Sequence, residues 1–311
     1  MWRQRFIQGI YTQEINLRGV VQMKKGVKLL ARILVITMIL GCFMPTEGFA
    51  ASYKKNFPKG VDLIVFSGQS NMMGHGNAAE APKLTKGAAY EYKVVTAKNK
   101  ISTLTEPFGY RQDSGHLVNG AYATGSMVTA FCNAYYKQTR VPVVAVNATV
   151  IGSGSVGWST VLYKDVIKRV KQSYKAMQKM KIPVNHVYLV WMQGENDVCA
   201  GTPAKDYEER IGGMLQTIVK KSPVEKCMLI QTGSIVYNIG AGADADPKEI
   251  LLAQQNICNN YDSVVMISKI APKLGAQYYQ NDRIHFTQQG LNKIGTDAGK
   301  KAGAYRKKQN K

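Results

Sequence analysis

The sequence predicts an α/β protein, a three-layer α/β/α sandwich around a five-stranded parallel sheet in a single domain. Two observations carry this. From residue 61 onward, short β-branched runs alternate with longer amphipathic ones, and strands that alternate with helices pair in parallel and are covered on both faces. The 311 residues are 45% hydrophobic and 20% charged, the balance of an ordinary globular chain that can bury a large core.

The first fifty residues stand apart. Residues 1–22 carry no fold signal and read as a disordered leader or a start-site extension ahead of Met23. Residues 23–50 read as a secretory signal peptide: Lys24, Lys25, Lys28 and Arg32 precede an apolar run over 33–44, and Gly48-Phe49-Ala50 ends it as a small-x-small cleavage site. The run is shorter than the roughly 20 residues of a membrane span. Ile39-Leu40-Gly41-Cys42 offers a weaker lipoprotein reading, because Phe43-Met44 continues the run past the cysteine. The expected location is therefore secreted or extracellular, with membrane attachment only if the segment is uncleaved or lipidated.

Within residues 51–311 the strands are expected at 62–66, 142–147, 186–191, 227–231 and 263–268. Helices are expected at 124–137, 160–179, 203–220, 247–260 and 287–305, with Thr202 capping the third ahead of Pro203. Residues 77–120 break the rhythm and read as an irregular insertion over the substrate side. The run Arg306-Lys307-Lys308 reads as a frayed tail.

Net charge is +21, and removal of residues 1–50 leaves 34 Lys and Arg against 18 Asp and Glu, or +16. Such a field attracts anionic glycans or wall polymers without specifying a nucleic acid. Lys164, Lys168, Lys171, Lys175 and Lys179 recur at helical spacing, as a solvated helix face does. The cysteines at 132, 199, 227 and 258 match no zinc spacing and read as buried thiols or optional bridges.

Ligands of such sheets bind at the carboxyl ends of the strands. Four segments fall there. Ser67–Gly76 contains Gly68-Gln69-Ser70-Asn71, with Ser70 a candidate nucleophile. Serine chemistry needs a base, a carboxylate behind it and donors for an oxyanion. Asp282-Arg283-Ile284-His285 supplies both of the first two from one connection. His75 is a candidate for the pocket lining, and His186 reads as structural. The segment 151–157 brings glycines whose N–H groups can approach a reacting oxygen, and Trp191-Met192-Gln193-Gly194-Glu195-Asn196-Asp197 brings the amides of Gln193 and Asn196. Glu195 and Asp197 suit either acid–base work or loop ordering.

Two other chemistries fit less well. Gly152, Gly154 and Gly157 spell a dinucleotide fingerprint, but they follow the second strand, and lysines stand where its acidic residue belongs. A metal site built from His75, His116, Asp282 and His285 has no supporting spacing. No cofactor and no metal are expected.

Taken together and in this order, the four segments resemble the SGNH hydrolases, and among them the sialate O-acetylesterase-like (carbohydrate esterase family 6-like) branch. That branch has G-Q-S-N in its first block, W-x-Q-G-E-x-D in its third and D-x-x-H in its last. The likeness spans about residues 60–300 and implies a flavodoxin-like hydrolase. Ser70 would be the nucleophile, His285 the base and Asp282 its orienting acid. The N–H of Ser70, a glycine at 152 or 154, and the amide of Gln193 or Asn196 would hold the oxyanion. Gln69, Asn71, His75, Trp158 and Glu195 are expected around the substrate. The implied activity is that of a carboxylic ester hydrolase removing O-acetyl groups from a carbohydrate. A non-catalytic glycan-binding module on the same fold is the alternative.

Overall fold

The computed structural model describes residues 57–112, 114–117, 122–234 and 246–309. The leader and signal-peptide expectations for residues 1–50 lie outside them. In chain order the elements are β1 (Val61–Gly68), α1 (Ser70–Met73), β2 (Ala89–Tyr92), β3 (Ile101–Thr103), α2 (Val128–Thr139), β4 (Val143–Thr149), α3 (Tyr163–Lys179) and β5 (Val184–Met192). There follow α4 (Glu195–Cys199), α5 (Ala204–Tyr207), α6 (Gly213–Lys221), β6 (Lys226–Ile230), α7 (Lys248–Asn260), β7 (Val264–Ser268) and α8 (Gln288–Gln309).

The strands form one sheet in the order β3-β2-β4-β1-β5-β6-β7. The α/β class and the five expected strands hold, but the sheet has seven strands. The insertion supplies the other two: β2 runs parallel to β4, and β3 runs antiparallel to β2. At four and three residues they are too short to show a period in sequence. Glu91 further disguises β2, although its side chain is buried there, accepting from the Gly109 N–H at 3.0 Å.

Alternation along β1 explains its unbroken apolar run. Leu63 and Val65 enter the core shared with Val166 and Val170 of α3, Leu215 of α6 and Ile257 of α7. Ile64 and Phe66 enter the opposite core, shared with Phe131 of α2 and Ile294 of α8. With both faces covered, successive positions along the middle of the strand are apolar on either side. Each of these fully buried side chains contributes about 1.5–3 kcal/mol. Helices α2 and α8 meet unusually closely, since a Cβ at Gly295 or Gly299 would lie 2.3 or 2.2 Å from the carbonyl oxygens of Met127 and Phe131.

Three local expectations change. Helix α2 starts at Val128 rather than 124, because the backbone of Thr124 is engaged with Gly74 and Ala78, and the Ser126 hydroxyl accepts from the Val128 N–H at 3.0 Å. Thr202 does not cap α5; its hydroxyl donates to Asp197 Oδ1 at 3.1 Å. The supposed frayed tail belongs to α8, where Arg306 Nε donates to buried Asp62 Oδ2 at 3.0 Å. Cys132 and Cys227 are buried thiols whose pKa values burial pushes far up.

Candidate active site

The chain switches sides of the sheet around β1, whose neighbours are β4 and β5. Register places Gly68 beside both Thr149 and Met192. The segments that leave these three strands therefore start at one level, which is the usual ligand position in such sheets. Only glycine fits at position 68: its φ is +135°, and a Cβ would lie 1.9 Å from the Met192 carbonyl oxygen. This turn delivers Ser70 to the first position of α1.

The fourth segment comes from the loop before α8. An isolated bridge between Tyr279 and Phe286, with Gln280 N donating to His285 O at 2.7 Å, closes the loop. Asn71 then grips it on both sides of His285. Its Nδ2 donates to Ile284 O at 3.0 Å, and its Oδ1 accepts from Phe286 N at 3.1 Å.

The result is a hydrogen-bonded row. Ser70 Oγ lies 2.8 Å from His285 Nε2, and His285 Nδ1 lies 2.7 Å from Asp282 Oδ2. An ionised carboxylate only accepts, so Nδ1 carries the ring proton and Nε2 is left to accept from the serine hydroxyl. Burial alone would raise the pKa of Asp282. The His285 ring and the backbone N–H groups of His285 and Ile284 outweigh it and hold the carboxyl below its ordinary value. An imidazole that can take a proton from Ser70, backed by a charge that favours the imidazolium, is the arrangement of acyl-transfer chemistry.

Around this row the sequence expectations separate. The amide nitrogen of Gln193 is fully buried and donates to Gln69 Oε1, Ser153 O and Asp197 Oδ2, so it has no hydrogen left for an oxyanion. Asn196 is half-buried and donates once, from Nδ2 to Gly152 O at 2.9 Å, which leaves its second amide hydrogen uncommitted. Of the two amides, Asn196 is the one able to act. Gly152 is exposed, and Gly154 opens the helical turn Ser155–Gly157; both stay available.

Four residues expected around the substrate are instead buried supports. Trp158 lies in the core, edge-on to Trp191 with ring centroids 4.8 Å apart. Gln69 ties the first block to the third, donating to Asn196 Oδ1 at 3.0 Å and accepting from Gly194 N at 3.2 Å. Asn71 holds the His285 loop as described. Glu195 is fully buried and accepts from Asn71 at 2.6 Å; burial pushes its carboxyl up, against the opposing bond from Asn71. Asp197, also buried, anchors the glycine segment by accepting from Ser155 N at 2.9 and 3.1 Å. Loop ordering, rather than acid–base work, accounts for both carboxylates.

His75 remains at the site. Its ring stacks on that of His285 with centroids 4.4 Å apart and planes 9° off parallel. Burial, together with the neighbouring His285, lowers its pKa to about 4 and keeps it neutral. His116 and His186 pair with Asp165 and Glu225 away from this row, at 2.7 and 2.8 Å.

The family described as carbohydrate esterase, sialic acid-specific acetylesterase, matches residues 60–303, and the chain belongs to it. It is accordingly a carboxylic ester hydrolase, in the SGNH branch that its sequence resembles. Its fold is similar to that of an Arabidopsis thaliana protein at a TM-score of 0.58 and 18% identity, covering 79% of this chain and 98% of that one. It also aligns with a lipase/acylhydrolase from Enterococcus faecalis (TM-score 0.45, 14% identity, 79% and 97% covered). A carbohydrate acetylesterase from Xanthomonas citri aligns at a TM-score of 0.45 and 16% identity, over 76% and 54%. No curated protein matches the chain in sequence.

Proposed function

We propose that this chain is an exported serine esterase that removes O-acetyl groups from a carbohydrate such as a sialic acid, a hemicellulose or a cell-wall glycan. The observation that carries the reading is the unbroken row Ser70–His285–Asp282. Ser70 Oγ attacks the acetyl carbonyl carbon while its proton passes to His285 Nε2. The N–H of Ser70, an N–H from Gly152 or Gly154, and the amide of Asn196 receive the oxyanion. Collapse breaks the bond to the sugar oxygen, which leaves with the proton from His285, and Ser70 carries the acetyl group. Water then attacks the acetyl-serine, again with His285 as base, and acetate is released. Family membership supports the acetylated carbohydrate as substrate.

Export rests on the basic, apolar and small-x-small pattern of residues 23–50. The charge of +16 on the remaining chain, with Lys164, Lys168, Lys171, Lys175 and Lys179 all exposed on α3, supports retention near anionic wall polymers. Ser70→Ala is expected to abolish hydrolysis of p-nitrophenyl acetate with the circular dichroism spectrum unchanged; undiminished hydrolysis would refute the assignment. Rates on acetylated sialic acid, acetylxylan and acetylated peptidoglycan then rank the sugars.

A further inference from the structure

A cavity of about 390 Å³ opens beside the row, in the size range of small-ligand sites, and His75 forms part of its wall. The same His75 ring stacks on His285 at 4.4 Å, so the cavity is one imidazole away from the base. The side chains of the wall are mostly polar. They include four glutamines, at 277, 280, 288 and 289, together with Asn77, Thr287 and Glu80.

We propose that this cavity is a subsite for an uncharged sugar residue of the glycan, adjoining the residue whose acetyl group meets Ser70; the proposal rests on the esterase reading above. Three features of the wall select this ligand. First, the described wall residues include no aliphatic or aromatic side chain beyond the His75 ring, so a fatty acyl chain would find little apolar surface to bury against. Second, they include no lysine or arginine, in a chain of net charge +21, while Glu80 contributes a carboxylate. An acidic sugar would enter without a counter-charge and against a like one. Third, the accessible part of the wall offers amides to a ligand, while the Gln288 side chain is buried behind it, its amide nitrogen donating to Ser126 O and Asn292 Oδ1. Gln280 spends its amide nitrogen on His75 O at 2.7 Å and Phe286 O at 3.1 Å, and its Oε1 accepts no hydrogen bond among the described residues. Gln277 and Gln289 are exposed, with amides that both donate and accept.

Sugar hydroxyls suit such a wall because each one donates and accepts. His75 is held neutral, so its ring adds no charge to the wall. Its backbone carbonyl is fixed by Gln280, which holds the ring as a partition between cavity and base.

The test measures binding rather than turnover. The full-length Ser70→Ala protein is titrated with xylotetraose, with chitotetraose and with N-acetylneuraminic acid, following ligand resonances by saturation-transfer NMR. The expected result is binding of at least one neutral oligosaccharide in preference to the acidic sugar, weakened at least fivefold by adding Gln277→Ala and Gln289→Ala together. Equal affinity with and without the two glutamines, no binding of either neutral oligosaccharide, or tighter binding of the acidic sugar would each overturn the subsite. None of these outcomes touches the esterase reading, which fails separately if Ser70→Ala still hydrolyses p-nitrophenyl acetate.

Discussion

The chemistry at residue scale turns on which nitrogen of His285 carries the proton. Asp282 decides this, because its Oδ2 accepts from Nδ1 at 2.7 Å while its Oδ1 is already held by two backbone N–H groups. In Asp282→Asn, Oδ1 can keep the backbone bonds, and an NH2 replaces Oδ2. That NH2 donates to Nδ1, drives the ring proton onto Nε2, and leaves Ser70 facing a donor instead of a base. The expected outcome is a fall of about 10²–10⁴-fold in kcat for p-nitrophenyl acetate, with KM little changed and folding intact; a fall confined to KM would contradict this role. Much of this arrangement was legible in the sequence, because Asp282 and His285 lie three residues apart on one loop and Ser70 ends a strand. The supporting roles were not. Gln69, Asn71 and Glu195 are polar residues beside a nucleophile, which in sequence suggests contact with substrate. Only the fold reveals that Asn71 spends its side chain on backbone groups at 284 and 286 and on Glu195, more than a hundred residues away. The choice between Gln193 and Asn196 was open for a related reason. Both are amides in one block, and what separates them is that three buried acceptors surround the first.

At the scale of elements, the five longer strands were readable because each carries a run of buried, mostly β-branched or apolar residues, whereas β2 and β3 were hidden by their length. The insertion that carries them is anchored by two carboxylates, Glu106, which is half-buried, and Glu91, which is buried. Glu106 accepts from Ser126, Thr129 and Phe108. Glu91 accepts from Gly109 N and lies 3.6 Å from Lys93 Nζ. Burial pushes the Glu91 carboxyl from 4.5 up to about 7, with Lys93 and the Gly109 bond opposing. The sign of the effect follows. Between pH 4.5 and 7 the folded chain keeps a proton that the unfolded chain has released, so stability from this group is full below 4.5 and is lost as pH rises toward 7. Glu91→Gln preserves the acceptor for Gly109 and removes the titration. Its stability relative to the parent should therefore grow with pH over that interval, at no more than about 1.4 kcal/mol per pH unit. Urea denaturation at pH 4.5, 6 and 8 measures this, and parallel profiles for the two proteins would show that Glu91 does not titrate there.

Across the whole molecule, the last helix closes the structure by returning to the start of the first strand. Helix α8 lies along α2 through glycines that admit close approach, and near its end Arg306 reaches Asp62 of β1. In sequence, Arg306-Lys307-Lys308 at a terminus looks like a solvated run, because nothing local announces a partner 244 residues earlier. Asp62 is fully buried, and its carboxyl also accepts from Tyr135 of α2 at 2.6 Å. One carboxylate thus joins β1, α2 and α8. Burial raises its pKa, while Tyr135 and Arg306 oppose the rise. Replacing Arg306 by Met keeps most of the aliphatic stem and removes the charge, so that Asp62 is left buried without its cation. Such a loss costs about 3–5 kcal/mol at neutral pH. The cost should shrink as pH falls, because burial raises the Asp62 pKa and protonation removes the unpaired charge, and Asp62→Asn in the same chain should restore much of the stability. Urea midpoints for the single and double variants at pH 5 and pH 8 decide the matter. A penalty independent of pH and unrelieved by Asp62→Asn would mean that Arg306 acts only through packing of its stem, and that the ion pair with Asp62 does not help hold α8.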